Sequence, residues 1–190
     1  MHVLAVDRDG VLREPAVKGL ATRARIVAAA ADLVFEIGVV ATAVEDVQLA
    51  KHAGAHVVAT ASPRSLEAVR RNGADQIIDY TRDSVASGVE PVDVMIHLVG
   101  TPPPWIPPVR PGGVIISAAA PVPAPAGVTS SHVVARFDTA QLTALVKLVD
   151  AGVVTVDVTE SYPLEAIGEV HRRSEAGGIR GKVVIAPATR

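Results

Sequence analysis

The spacing of apolar and polar positions changes character near residue 48. From there on, short β-branched runs alternate with segments of helix length. Residues 48–53 continue a helix that Gly54 can end. HVVATA, residues 56–61, has the composition of a strand. Ser62 can cap the next helix, with Pro63 at its first position and LEAVRRNG carrying it to a stop at Gly73. QIID (76–79), VDVMIHLVG (92–100) and GGVIISAA (112–119) predict three further strands. The proline-rich PVPAPAG interrupts this rhythm, and HVVARF (132–137) resumes it as a strand. A helix is expected over residues 138–151, with Leu142, Leu145, Val146 and Val149 spaced to share one face. TVDVTESYPL is strand-like, Pro163 opens a helix that ends in the AGG of residues 176–178, and KVVIAP closes the series as a strand. Strands separated by helices of this length predict an α/β fold, a parallel sheet with helices on both faces.

Composition narrows the picture. Val and Ala dominate the apolar residues while aromatics make up only 3% of the chain, which suits strands buried on both faces and the helices that cover them. No cysteine occurs, so disulfides, thiolate metal sites and cysteine nucleophiles are excluded, and a reducing, cytoplasmic setting is expected. A formal net charge of −2 gives no electrostatic reason to expect nucleic acid or an anionic membrane. Asp32 and Glu36 interrupt the most apolar N-terminal stretch, so no run reaches the roughly 18 residues of a membrane span. The start, MHVLAVDRDG, lacks the pattern of a signal peptide. His52, His56, His97 and His132 show no metal-ligand spacing, and His171 falls within a predicted helix, so no metal site is expected.

An ordered set of motifs carries a more specific likeness: VQLAKHAGAHVVATAS, NGADQIIDY, VDVMIHLVG, RPGGVIIS, QLTALVKLVDAGVV and YPLEAIGEVHRRSEAGGIRGKVVI. Residues 48–187 thereby resemble the cofactor domain of medium-chain dehydrogenase/reductases, in the zinc-free quinone oxidoreductase branch. The resemblance implies a Rossmann-like fold that binds NADP(H) and transfers hydride to a small-molecule substrate, a quinone or an activated alkene. It implies that Ser62 and Arg64, at the end of the second Rossmann strand, and Tyr80 hold the 2′-phosphate. A forked cation and two hydroxyls suit that dianion, and no acidic residue occupies the strand end. It implies that Leu98, Val99 and Gly100 lie along the nicotinamide ribose. No residue is assigned as catalytic.

The chain departs from the family in two places. The glycine-rich phosphate loop has become EIGVVATAVEDVQLAK, in which Gly38 alone is glycine and Glu45 and Asp46 add negative charge. β-Branched residues cannot take the positive-φ conformations such turns use, so cofactor affinity is expected to suffer. The GroES-like catalytic domain is expected to be missing, with residues 1–21 a strand or hairpin remnant of it. Residues 22–47, net acidic, resemble the first helix and a half of TetR-type repressors, without the recognition helix that would follow. The expected organisation is therefore 1–21, 22–47 and a dinucleotide-binding domain over 48–190.

With the first Rossmann strand displaced, its central slot must be refilled, because two neighbouring strands would otherwise keep unpaired backbone groups. LVFEIGVV (33–40) is the first candidate and HVLAV (2–6) the second. HVLAVDRDGVL also resembles the first motif of haloacid-dehalogenase-type phosphatases, with Asp7 as nucleophile and Asp9 as general acid/base, although Asp-Gly is equally a hairpin turn. The functional alternatives are a non-catalytic dinucleotide-binding or interaction module, an inactive remnant, a TetR-like regulator, and such a phosphatase. An exposed cofactor face makes a homo-oligomer an expectation as well. Trp105, within TPPPWIPP, is expected on a loop near the cofactor strand end, since its prolines forbid a helix.

Overall fold

The computed structural model describes residues 2–6, 45–98, 100, 109–133 and 139–187, which divide into two compact units, Met1–Val154 and Thr155–Arg190. The first unit contains β1 (His2–Val6), α1 (Glu45–His52), β2 (His56–Ala61), α2 (Leu66–Arg71), β3 (Gln76–Asp79), α3 (Val85–Gly88), β4 (Val92–His97), β5 (Val109–Ser117), β6 (Thr129–His132) and α4 (Thr139–Asp150). Six strands form one sheet in the order β3-β2-β1-β4-β5-β6. The β2–β3, β4–β5 and β5–β6 pairs are parallel. This is the strand order of a doubly wound nucleotide-binding sheet.

The central slot is held by HVLAV, the second of the two candidates, and Leu33–Val40 lies outside the described residues. β1 runs antiparallel to both neighbours, with Val3 opposite Ala59 and Leu4 opposite Met95. Either strand direction supplies partners for the backbone groups of β2 and β4; the reversed one uses the antiparallel ladder.

Alternation along the strands builds two cores. On one face Val57, Ala59 and Ala61 of β2 join Val94, Ile96 and Ile116, covered by Val47 and Ala50 of α1 and Val69 of α2. On the other, Val58, Met95, Ile115 and Ile78 pack with Val85 of α3. Helices thus cover both faces, as the α/β reading requires. β2 and β4 place successive side chains on opposite sides of the sheet, and both sides are buried.

Three local expectations are corrected. Ser62 is not a helix cap: the Ser65 N–H donates to the Ser62 carbonyl at 2.9 Å, closing a turn, and α2 begins at Leu66. Pro63 therefore occupies the second position of a turn, where its fixed φ is equally at home. The strand expected at HVVARF is instead TSSH, Thr129–His132, while residues 134–137 lie outside the described residues. β6 is the last strand of the sheet and largely exposed, so it carries polar residues where a central strand could not. The apolar stripe of α4 is also divided. Leu145 and Leu148 pack with Leu49 and Val154, whereas Leu142, Val146 and Val149 are exposed.

The second unit holds β7 (Val158–Pro163), a 3-10 turn (Leu164–Ala166), α5 (Ile167–Glu175) and β8 (Lys182–Ala186). β7 and β8 form a separate two-stranded parallel sheet and do not extend the large one. A bidentate ion pair joins Arg173 of α5 to Glu160 of β7 at 2.8 Å, and the Tyr162 hydroxyl also donates to Glu160. Arg173 and Tyr162 hold the Glu160 carboxyl down to about 2. In turn Glu160 raises the Tyr162 hydroxyl. No helix among the described residues is long and apolar enough to cross a membrane.

Candidate functional site

In an open α/β sheet, ligands bind beyond the carboxyl ends of the strands, at the point where strand order reverses. Here that edge is formed by the ends of β2, β3, β4 and β5, with the reversal falling between β2 and β4. The sequence-based site residues distribute over it in two groups.

The first group is Ser62, Arg64 and Tyr80. β2 and β3 run parallel in a register that sets Ala61 beside Asp79, and the Tyr80 N–H donates to the Ala61 carbonyl at 3.2 Å. Ser62 and Tyr80 are thus the first residues beyond two adjacent strand ends. The turn from Ser62 to Ser65 carries Arg64, which is exposed, and Tyr80 is 48% exposed. Asp79 is the nearest acid in sequence, and its carboxylate accepts from the Thr81 N–H at 3.0 Å and the Thr81 hydroxyl at 2.6 Å. The frame behind this group is fixed by Asp75, which accepts from Lys51 of α1 and from the Val57 N–H, both at 2.7 Å. Partial burial alone would raise the Asp75 carboxyl; Lys51, the Val57 amide and His56 outweigh it and hold it below its ordinary value.

The second group lies at the end of β4. Leu98 is half-buried against the core, Gly100 is exposed at φ +79°, and Val99 lies outside the described residues. A Cβ at Gly100 would meet nothing within 4 Å, so its requirement for glycine is conformational, and its backbone borders open space. Two strands separate this group from the first one's β3, and β1 runs between them.

Sequence reasoning missed His97, the last residue of β4. It is fully buried, and its Nε2 lies 3.2 Å from the Gly100 carbonyl. A carbonyl can only accept, so Nε2 carries the proton. Burial pushes the imidazole below its ordinary value, and the Gly100 carbonyl opposes that shift. The available signal was one polar residue inside the otherwise apolar VDVMIHLVG. His97 is paired in register with Ser117 of β5, also fully buried, whose hydroxyl bonds the Ala120 carbonyl.

α1 packs on β2 through Val47 and Ala50 and begins with Glu45 and Asp46, both buried in its first turn. Residues 36–44 of the altered phosphate-loop stretch lie outside the described residues, as do Asp7, Asp9, residues 22–35 and Trp105. The chain has no cysteine, and the described residues hold no group of three or more His, Asp or Glu that could ligate a metal.

Fold and strand-end arrangement define a Rossmann-like α/β domain. A family model of zinc-binding dehydrogenases matches residues 72–185, and the chain belongs to that family. The described donors nevertheless do not fit a zinc site. A curated relative, the chloroplastic NADPH-dependent alkenal/one oxidoreductase of Arabidopsis thaliana, is 31% identical over 145 residues, covering 74% of this chain and 36% of the relative. The quinone oxidoreductase structure from Coxiella burnetii aligns with a TM-score of 0.61 at 25% identity, over 73% of this chain and 47% of that one. The alcohol dehydrogenase of Aeropyrum pernix gives 0.67 at 26%, over 87% and 55%. The chain thus spans about a third of the curated relative and about half of each of these structures.

Proposed function

We propose that this chain supplies the cofactor-binding part of a zinc-free, NADPH-dependent oxidoreductase of the quinone oxidoreductase type. Bound NADPH would supply hydride from its nicotinamide C4 to a quinone or an activated alkene. The chain's own contribution is binding and orientation. Arg64 offers a planar, permanently charged fork to the 2′-phosphate, and Ser62 and Tyr80 offer hydroxyls beside it. Leu98, Val99 and Gly100 offer backbone to the nicotinamide ribose. The observation that carries this reading is the Tyr80–Ala61 hydrogen bond, which brings the β2 and β3 ends together with no carboxylate at Ser62 to select against a phosphate.

One feature works against tight binding. The acidic pair Glu45 and Asp46 begins α1, where a helix otherwise favours the negative charge of a pyrophosphate. That observation supports the second reading, a non-catalytic module whose cofactor site has decayed. Calorimetric titration with NADPH and NADH separates the two. Saturable binding that prefers NADPH, and is weakened at least tenfold in Arg64→Ala, is the expected result. An Arg64→Ala protein that binds NADPH as well as the parent removes the assignment of Arg64. No binding at millimolar cofactor leaves the non-catalytic module.

A further inference from the structure

The ends of β4 and β5 carry matching devices. His97 and Ser117 are register partners, each the last residue of its strand and each fully buried. Each reaches the carbonyl three residues ahead: His97 that of Gly100, Ser117 that of Ala120. The backbones are joined as well, since the Ala118 N–H donates to the His97 carbonyl at 2.8 Å. A buried side chain that bonds its own onward turn leaves that turn few alternative shapes, and Gly100, at φ +79°, needs such support because glycine is the residue most free to leave any one conformation.

We propose that His97 is a positioning residue for the nicotinamide half of the cofactor, holding the turn that carries Leu98 and Gly100 through its Nε2 bond to the Gly100 carbonyl. This rests on the cofactor reading above and deepens it. A dinucleotide laid across the reversal of strand order has one half over β2 and β3 and the other over β4 and β5. With the adenosine phosphate assigned to Ser62, Arg64 and Tyr80, the nicotinamide half falls over the two latched turns. His97 touches no ligand itself; it acts through the shape of Gly100. Ordering the turn before binding removes an entropic cost from the nicotinamide half alone.

The test compares NADPH with adenosine 2′,5′-bisphosphate, which contains only the half assigned to β2 and β3. In His97→Leu, NADPH binding is expected to weaken about tenfold, the scale of one lost hydrogen bond, while adenosine 2′,5′-bisphosphate binding stays within about twofold. His97→Gln, whose amide can donate to the same carbonyl, is expected to recover NADPH binding. Equal weakening of both ligands, or of neither, overturns the proposal and leaves the cofactor reading standing. A parent protein that binds neither ligand overturns both. Should His97→Leu fail to fold, histidine-ring ¹H–¹⁵N spectra of the parent decide, with the His97 signal identified by its loss in His97→Gln. NADPH is expected to shift that signal and adenosine 2′,5′-bisphosphate to leave it in place; a signal unmoved by saturating NADPH overturns the proposal.

Discussion

The buried apolar side chains described for the first unit run from Val47 to Val154, and the described residues from Thr155 onward contribute none. In the first unit the sheet is sealed on both faces by Val, Ile, Met and Ala. In the second, Val158, Leu164, Ile167 and Val184 stay exposed, and the ties are polar. They are the Glu160–Arg173–Tyr162 clamp, the Asp157–Arg180 pair at 2.7 Å, and the Thr159 hydroxyl bonded to the Arg180 carbonyl. Apolar burial scales with area, whereas partly exposed ion pairs contribute little net stability. The β7–β8 unit therefore opens at a lower free energy than the six-stranded sheet.

The largest expected effect is at the centre of that sheet. Met95 is fully buried in the core that contains Ile115 and Val85. Met95→Ala should cost about 2–5 kcal/mol in urea unfolding followed by circular dichroism, from lost transfer energy and the cavity left behind. A loss below about 1 kcal/mol would mean that the first unit does not depend on its core, and the contrast between the units would collapse. Next comes Gly181, at φ +69°, where an added Cβ would stand 2.7 Å from the Asp157 carbonyl oxygen and 2.6 Å from Thr159. Gly181→Ala should cost about 1–3 kcal/mol, read as lost hydrogen-exchange protection in residues 158–186, with β4 unchanged. Gly177, at φ +67° but facing open space, should lose less on the same substitution.

The units should also respond differently to acid. His97 in the folded first unit titrates below its ordinary value because it is buried, so the unfolded chain binds the proton more readily. Its contribution is complete above about pH 6.5 and is lost as pH falls from there. The urea midpoint should therefore drop between pH 7 and 5 by more in the parent than in His97→Gln. Glu160 also titrates below its ordinary value, at about 2, and its contribution is lost only as pH falls from the ordinary carboxylate value through that figure. Protection of β7 and α5, corrected for intrinsic exchange, should be level over pH 7 to 5. A fall there to match the first unit would show that the clamp is not what orders them.

What was legible in the sequence follows the same division between buried and exposed. HVVATA and VDVMIH coincide with β2 and β4, because strands covered on both faces are largely apolar, and QIID, the strand at the other edge of the sheet, carried its two isoleucines as a signal. TSSH gave no such signal, since an edge strand can be polar. The direction of β1 was illegible for another reason. Five residues such as HVLAV pair equally well either way, and only the path of the chain decides. The positions of Ser62 and Tyr80 just beyond β2 and β3 were readable because those two strands were. His97 was not, because its partner is a backbone carbonyl and no side-chain spacing announces one.

The smallest effect separates burial from mere apolarity on α4. Leu142, Val146 and Val149 are spaced as a core-facing stripe, yet Val146 is 48% exposed, and the helix touches Leu49 and Val154 through Leu145 and Leu148. If the sheet unit is held by burial, only the side chains packed against Leu49 and Val154 should matter. Val146→Ala should then change stability by less than about 0.5 kcal/mol, with the better helix propensity of Ala offsetting a small decrease in apolar burial. Leu145→Ala should cost more, since it uncovers Leu49. Equal losses at the two positions in parallel urea titrations would show that the exposed stripe is covered in solution, and a concentration-dependent midpoint would then identify a second copy of the chain as the cover.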